Sequence, residues 1–344
     1  MVNADMRIST VKDVAKKAGV SAMTVSRVLN GTGSVSEKTR LKVQEAAREL
    51  HYYGNSVARS LRVNETKTIG VVLSDSSEMI LSSVLRSIQD VAGENGYTVI
   101  TANTDRRRNR ERHAVETLLQ KHIDGLIMVA PLSFGKEDIG WLKSLGVPFV
   151  MLMRSCDDDE VDSVMNDNER GGYLAGEYLC RIGCRRFAFL PLQNSPSSKA
   201  RLDGFYQAMD DCSVSRDESL VQEVTQDAEV GYEAARDLAD RLRDYDVVVC
   251  GCDTVAMGVM RALADAGIRI PEDILVMGYD GIEIGKYMVT PLTTIAQPFT
   301  QIGRTGIQVL LDRIREPKAP ARKIMFEGEL LVRQSTEKPE SGPA

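Results

Sequence analysis

The sequence predicts an α/β protein with two doubly wound parallel-sheet subdomains, preceded by a small all-α helix-turn-helix domain. Two observations establish the α/β part of this class. The chain has 344 residues, which is more than a single domain usually holds. Beyond residue 67, short apolar runs alternate with helical stretches, and this alternation is typical of parallel β-α units.

The third observation is an uneven charge distribution behind a net charge of −6. Residues 1–63 contain eleven Lys or Arg and five Asp or Glu, whereas the remainder contains 32 and 44. A basic head on an acidic body is typical of a nucleic-acid-binding protein with a regulatory domain. No apolar run approaches the ~20 residues of a membrane helix, and the first residues lack the apolar region of a signal peptide. We therefore expect a cytoplasmic protein.

The head contains start and stop signals for three short helices. Thr10 and Asp13 form a capping-box pattern before an apolar stripe, and Gly19 ends this first helix. Ser21 is the expected N-cap of a second helix, and a third runs from residue 36 to about 50. Two helices joined by the tight turn AGVS and braced by a third make a helix-turn-helix unit.

The second helix is expected to enter the major groove of DNA. Its inward residues are expected to be Val25, Val28 and Leu29. Arg27 faces outward and is the natural donor to guanine, whereas Ala22 and Met23 suit thymine methyl groups. The hydroxyl groups that can hold phosphates belong to Thr10, Ser21, Thr24 and Ser26.

The body contains two series of buried-strand runs. The first series begins near Thr68, Tyr97, Gly125 and Pro148, and the second near Ser163, Phe187, Val247 and Ile274. Each series fits one doubly wound half. Ligands of such sheets bind at the carboxyl ends of the strands, here between the halves.

Two other classes of function compete with regulation. Strand–helix alternation permits a nucleotide-dependent α/β enzyme, but no strand is followed by G-x-G-x-x-G and no phosphate-binding G-x-x-x-x-G-K-[ST] occurs. Three histidines and six scattered cysteines provide no catalytic set and no metal-ligand spacing, so we expect no catalytic residues, cofactor or metal. A transport-type solute-binding protein remains an alternative, against which the basic head counts.

The head, from TVKDVAKKAGVSAMTVSRVLNG to NSVARSLR, resembles that of the LacI/GalR family of bacterial transcription regulators. The resemblance implies a hinge helix in residues 53–66 that orders on DNA and wedges a leucine, here Leu61, into the minor groove. Such a wedge unstacks a base step and bends the duplex. The further DNA contacts that the resemblance implies are Asn30, Asn55, Ala58 and Arg59.

The body resembles the type I periplasmic-binding-protein fold that this family attaches to its head. Matching motifs are NDNERGGYLAGEYL, ARLDGF, CDTVAMG, GIRIPEDILVMGYDG and PLTTIAQP. The resemblance implies an effector-binding and dimerisation domain over 67–334, with three crossover strands acting as a hinge. The expected division is a helix-turn-helix domain at 1–52, a hinge at 53–66, an N-subdomain at 67–162 and 297–322, a C-subdomain at 163–296 and 323–334, and a disordered tail at 335–344.

The resemblance also implies an effector site between the subdomains. Arg201 matches the family's effector-binding arginine and Asp280 its acidic partner, and this pair suits a polyhydroxylated ligand. Cys252 stands where the family often has Asn. Met79 and Ile80 replace aromatic residues, so the usual stacking platform is absent and a sugar, sugar acid or other polar metabolite is favoured over a purine. The other expected effector contacts are Ser77, Arg154 and Phe299.

The combined prediction is a transcription regulator, by family default a repressor, whose operator affinity is switched by a small polar effector. Its expected partners are a pseudo-palindromic DNA operator, the effector and a second copy of the chain, with no membrane. The tail VRQSTEKPESGPA lacks a leucine heptad, which favours a dimer over a tetramer. When bound to DNA, the protein is expected to be associated with the nucleoid.

Overall fold

The structure is a computed structural model and describes residues 9–29, 33–52, 65–131, 135–154, 158–216 and 220–337. The chain divides into two compact units, residues 1–66 and 67–344. In the described residues, we find no helix with the length and apolar character needed to span a membrane.

The first unit contains three helices: α1 (Val11–Ala18), α2 (Ala22–Leu29) and α3 (Glu37–Glu49). The predicted capping box at the start of α1 is confirmed. The Asp13 N–H donates to Thr10 Oγ1 over 3.4 Å, and the Thr10 N–H donates to Asp13 Oδ2 over 2.8 Å. Gly19 ends α1 with a φ of 66°, a left-handed conformation that glycine adopts without steric cost.

The core of the first unit is built from one apolar face of each helix. Val14, Val25 and Val43 are fully buried there, one from each of the three helices. The prediction that Leu29 faces inward is wrong, because its side chain is 37% exposed. Leu29 lies on the same face as Val25 but one turn further along, at the last residue of α2, beyond the packed centre.

The second unit contains two six-stranded sheets, each covered by helices on both faces. We call the parts built on them the first lobe and the second lobe. The strands of the first lobe are β1 (Thr68–Leu73), β2 (Thr98–Asn103), β3 (Gly125–Val129), β4 (Phe149–Leu152), β5 (Asp162–Asn166) and β11 (Lys323–Phe326). Those of the second lobe are β6 (Phe187–Leu190), β7 (Leu220–Val221), β8 (Val247–Cys250), β9 (Leu275–Asp280), β10 (Thr293–Ala296) and β12 (Glu329–Leu331).

The helices lie in two layers on each sheet. Those of the first lobe are α4 (Met79–Glu94), α5 (Arg108–Leu119), α6 (Lys136–Ser144) and α11 (Phe299–Arg315). Those of the second lobe are α7 (Asn168–Arg181), α8 (Pro196–Asp211), α9 (Ala228–Leu242) and α10 (Asp253–Asp265), with two 3₁₀ turns at Glu283–Tyr287 and Gln334–Thr336. Strand order is β11-β5-β4-β3-β1-β2 in the first sheet and β12-β10-β9-β8-β6-β7 in the second. All pairs are parallel except β10 with β12. The predicted α/β class with two parallel-sheet subdomains is therefore confirmed.

The chain passes between the lobes three times, after β5, after β10 and after β11. We expected residue 163 to open the second subdomain, but β5 pairs with β4 and belongs to the first sheet. Strand β11 pairs with β5, so residues 323–326 also belong to the first lobe rather than the second. The first difference arises because consecutive strands with short connections usually pair. The second arises because β11 pairs with a strand far away in the sequence, which apolar periodicity does not reveal.

The prediction places the start of the disordered tail too early, at residue 335. Ser335 and Thr336 are buried, and Ser335 Oγ donates to the carbonyl oxygen of Val276 over 2.6 Å. The same hydroxyl accepts from the Thr293 N–H over 2.8 Å. These hydrogen bonds hold the 3₁₀ turn against the second sheet. Residues 338–344 lie outside the described part of the chain.

Candidate functional sites

The first candidate site is the outward face of α2. Val25 is buried beneath the helix, whereas Ala22, Met23 and Arg27 are exposed on its other side. Met23 is 65% exposed. An exposed helix face that carries two apolar residues and a guanidinium has the donors and apolar contacts that base edges in the major groove require.

The hydroxyl groups predicted to hold phosphates are engaged within the helix ends. Thr10 Oγ1 donates to Asp13 Oδ2 over 2.7 Å. Ser21 Oγ accepts from the Thr24 N–H over 3.1 Å and lies 2.9 Å from Thr24 Oγ1. These side chains therefore cap helices, and a phosphate contact there stays a prediction. Ser26 is half-buried on α2. The remaining predicted DNA contacts lie outside the described residues: Asn30, Asn55, Ala58, Arg59 and Leu61.

The second candidate site is a cleft of ≈ 400 Å³ between the two lobes. From the first lobe it is lined by residues that follow β1, β3 and β4, among them Glu78 and Arg154. From the second lobe it is lined by Arg201, Gln226 and Asp280. The carboxyl ends of parallel strands face the cleft from both sides, which is the usual ligand position in such sheets.

Arg201 projects from α8 into the cleft and is held by several partners. Its Nε donates to Asn168 Oδ1 over 2.9 Å and its Nη1 to the carbonyl oxygen of Gly251 over 2.8 Å. The guanidinium carbon lies 3.8 Å from the centre of the Tyr279 ring, a cation–π contact. Arg201 is therefore fixed in orientation before any ligand binds.

Close packing of α7 against α8 sets the position of Arg201. A Cβ atom on Gly172 of α7 would lie 1.9 Å from the carbonyl oxygen of Arg201. Only glycine fits at this contact.

Asp280 is buried at the end of β9 and faces Arg201, with 3.8 Å between Oδ1 and Nη2. Burial raises the pKa of Asp280 to about 7, against the attraction of Arg201; the charges of Asp253 and Glu78 add to the rise. Its φ of 120° is rare for a residue with a side chain. The Gln297 N–H stabilises this conformation by donating to the Asp280 carbonyl oxygen over 3.0 Å.

A chain of side-chain hydrogen bonds joins Asp280 to the crossovers. Gln297, directly after β10, donates its side-chain amide to the carboxylate of Asp280. Asn166, the last residue of β5, donates its amide to the side-chain oxygen of Gln297. The floor of the cleft is thus bonded to two of the three places where the chain passes between lobes.

A second polar cluster bridges the lobes, which we call the bridge: Glu78 and Arg106 from the first lobe and Gln226 from the second. Arg106 Nη2 lies 2.6 Å from Glu78 Oε1 and donates to Gln226 Oε1 over 3.0 Å. The Gln226 amide donates to Glu78 Oε2 over 3.1 Å. Burial raises the pKa of Glu78 despite its ion pair with Arg106.

The structure brings four of the eight predicted effector contacts to the cleft: Ile80, Arg154, Arg201 and Asp280. The other four lie elsewhere. Ser77 donates to Asp75 Oδ1 over 2.7 Å in the exposed turn before α4, and Met79 is half exposed at the start of that helix. Cys252 and Phe299 are buried in the cores of the second and first lobes, because each apolar side chain packs under its helix.

The predicted effector contacts do not include five polar residues of these networks: Glu78, Arg106, Asn166, Gln226 and Gln297. Arg106 belongs to the charged run TDRRRNR, in which no local pattern singles it out from its neighbours. Gln297 is the second-last residue of the motif PLTTIAQP, and a polar residue directly after a buried strand was the available signal. Asn166 and Gln297 are 131 positions apart, so no local pattern pairs them.

A helix-turn-helix unit and a two-lobed α/β cleft define a DNA-binding regulator that responds to a small molecule. Comparisons with known proteins agree with this class. Residues 10–55 match the profile of bacterial regulatory proteins of the lacI family, and residues 66–332 match that of periplasmic binding proteins and sugar binding domain of the LacI family.

Curated relatives extend over nearly the whole chain. An HTH-type transcriptional repressor PurR of Vibrio vulnificus is 35% identical over 335 residues, covering 96% of this chain and 99% of that protein. The PurR repressor of Serratia proteamaculans is 36% identical over 332 residues, covering 95% and 97%.

Solved structures match in the same way. A lac repressor dimer bound to operator and the anti-inducer ONPF is 29% identical, with a TM-score of 0.86 over 96% of this chain and 99% of that one. A complex of the transcriptional regulator CelR with cellobiose is 30% identical, with a TM-score of 0.72 over 95% and 99%. The chain belongs to the LacI family of bacterial regulatory proteins and is a transcription regulator rather than an enzyme.

Proposed function

We propose that this chain represses transcription as a homodimer on a pseudo-palindromic operator, and that a small polar effector in the cleft switches its operator affinity. The observation that carries the proposal is the hydrogen-bonded chain from Asp280 through Gln297 to Asn166. A ligand that contacts Asp280 acts on side chains at the crossovers. If its affinity differs between two lobe arrangements, binding shifts the equilibrium between them.

Named relatives and neighbours support repression and dimerisation. The curated relatives carry the name transcriptional repressor, and the solved lac repressor is a dimer on its operator. Two-fold symmetry in a dimer requires two related half-sites in the DNA. The neighbour with cellobiose bound supports a sugar or sugar-derived effector. A regulator of this kind acts in the cytoplasm, on the nucleoid.

The proposed DNA contacts have different roles. Arg27 reads guanine and Met23 and Ala22 read thymine methyl groups, so these three select the sequence. The caps Thr10 and Ser21 orient their helices toward the backbone. The minor-groove wedge of Leu61, with its hinge neighbours, rests on the resemblance alone.

Sequence selection from a randomised duplex pool tests the DNA-binding part. We expect the purified protein to enrich a two-fold symmetric motif and to lose affinity steeply as salt rises. Arg27→Ala should weaken binding to the selected motif and relax its preference at one base pair per half-site. Arg48→Ala, which removes the same charge from α3, is the control and should leave the preference unchanged. Enrichment of no symmetric motif would refute the proposal.

Loss of Arg201 tests the regulatory part. Arg201→Ala should bind the selected operator like the wild type but lose the change in affinity that effector causes. Operator binding measured by fluorescence anisotropy, with and without effector, gives the operator affinity and the change in that affinity that the effector causes. A normal effector response in this variant would remove Arg201 from the site.

A further inference from the structure

The described residues that line the cleft include three arginines but only two carboxylates. Arg106 is neutralised by Glu78 within the bridge, and Arg201 faces the carboxylate of Asp280. Arg154 projects from the loop after β4 into the same cleft and is half-buried. Its Nη1 donates to the carbonyl oxygen of Pro131, and within the described part of the chain no carboxylate reaches ion-pair distance of it. Glu111 attracts it only from further away.

A half-buried guanidinium without a carboxylate is an unfavourable arrangement. Removal from water weakens its solvation, and a single carbonyl oxygen satisfies one of its five N–H groups. Burial accordingly lowers the pKa of Arg154. The carboxylates of Glu78 and Asp280 already face Arg106 and Arg201. Among the described residues, the cleft therefore carries an excess of positive charge that none of the carboxylates lining it balances, and an anionic ligand would supply the missing charge.

The size and lining of the cleft restrict what that group belongs to. A volume of ≈ 400 Å³ is at the lower end of the range for small-molecule sites and suits a monosaccharide-sized metabolite. No Phe, Tyr or Trp is among the described residues that line it, so a flat heterocycle finds no stacking surface. Asp280, Gln193, Asn194 and Gln226 instead offer acceptors and donors for hydroxyl groups.

We propose that the effector is a small polyhydroxylated anion, with a carboxylate or a phosphate, whose anionic group binds Arg154 while Arg201 and Asp280 bind its hydroxyl groups. A planar guanidinium binds either anion through two parallel hydrogen bonds, which are stronger than those between neutral groups. A neutral sugar of the same size would leave Arg154 unmatched. The inference rests on the proposed function only in taking the cleft as the effector site.

A matched panel of hexoses tests the charge of the effector. The full chain is titrated with D-glucose, D-gluconate, D-glucuronate and glucose 6-phosphate, together with the galacto and manno epimers of each, and with acetate and inorganic phosphate as simple anions. Thermal unfolding and calorimetry measure binding. We expect at least one sugar anion to bind while its neutral parent does not at the same concentration, and the acid and phosphate arms separate the two anion sources. Equal binding of the parent sugar, or no binding by any anion of the panel, overturns the proposal.

Variants at residue 154 test whether the side chain of Arg154 binds the anionic group. Arg154→Met should weaken binding of the anion found in the panel by roughly 10- to 100-fold, the range for one lost charge-assisted pair. Arg154→Lys, which keeps the charge, should recover part of that loss. Arg86→Met on the exposed surface of α4 is the control and should bind like the wild type. Unchanged affinity in Arg154→Met refutes the assignment.

The unliganded variant separates a binding role from a structural one. If Arg154 is an unmatched cation, Arg154→Met should unfold at the same or a higher temperature than the wild type without ligand. If its hydrogen bond to Pro131 holds the loop, the variant should unfold at a lower temperature, which would contradict the proposal. Operator anisotropy with each probe keeps the two proposals apart. A neutral sugar that alters DNA binding would overturn the proposal of an anionic effector but support the proposed regulatory function. An anion that binds without altering DNA binding would support the anion site but contradict the regulatory function.

Discussion

Asp280→Asn is the most informative single substitution in the cleft. Asparagine has nearly the same shape, tolerates the φ of 120°, and still accepts from the Gln297 amide, so the change removes mainly the ionisable group. Arg201 from α8, Asp253 from the start of α10 and Glu78 from the first lobe face this position. Their combined effect is smaller than that of burial, which raises the pKa of Asp280 to about 7.

The sign of the effect follows from proton binding. An unfolded aspartate has an ordinary pKa of 3.8, so between that value and about 7 the folded state holds a proton that the unfolded state releases. The free energy of unfolding therefore falls with rising pH in this window, by up to about 1.4 kcal/mol per pH unit from one group. Between pH 5 and 7 the wild type should lose up to roughly 3 kcal/mol relative to Asp280→Asn, and above pH 8 the two curves should run parallel.

Urea unfolding from pH 5 to 8.5, followed by circular dichroism, measures this difference. Asp253, with a pKa raised by burial to about 6, titrates in both proteins and largely cancels in the comparison. Asp273→Asn is the matched control. The side chain of Arg269 lowers the pKa of Asp273 to about 2, so this residue stays ionised throughout and its difference curve should be flat. Parallel curves for Asp280→Asn and wild type across the whole range would refute the reasoning.

Three further substitutions test the fold and the lobe contacts. Thr10→Ala removes a helix cap and should destabilise the first unit by about 1 kcal/mol in thermal unfolding; no change would mean that the capping box contributes little. Gly172→Ala places a methyl group 1.9 Å from the Arg201 carbonyl oxygen and should cost about 1–3 kcal/mol in urea, with weaker effector binding. Arg106→Met breaks the bridge and should speed effector dissociation in stopped-flow measurements more than it slows association, because hydrogen bonds that join the lobes are lost; an unchanged dissociation rate would contradict this expectation.

Local patterns were sufficient to predict the helices of the first unit and most strands of the second. Capping at Thr10 and Ser21 depends on residues three positions apart, and buried strands are recognisable from short apolar runs. The run that begins at Ser163 was assigned to the wrong sheet because its apolar character says that it is buried, not which strand it pairs with.

The central charged pair of the cleft was predictable because both residues stand in motifs of the family. Arg201 and Asp280 stand in such motifs, and the structure brings them together. Cys252 and Phe299 also stand beside cleft residues in the sequence, yet both side chains turn into the cores, because an apolar group at a helix start gains more by packing on the sheet than by facing a polar cavity. The bridge joins residues 148 positions apart and is a property of the folded chain alone.

The bridge of Glu78, Arg106 and Gln226 also affects how long a bound effector stays in the cleft. These hydrogen bonds join the two lobes beside the cleft, so we expect a bound molecule to leave more slowly while they are intact. Affinity determines the concentration at which the regulator responds, but the lifetime of the bridge determines how long the response outlasts the metabolite. Two variants with equal effector affinity and different bridges would therefore respond at the same effector concentration, but their responses would last for different times after the effector is removed.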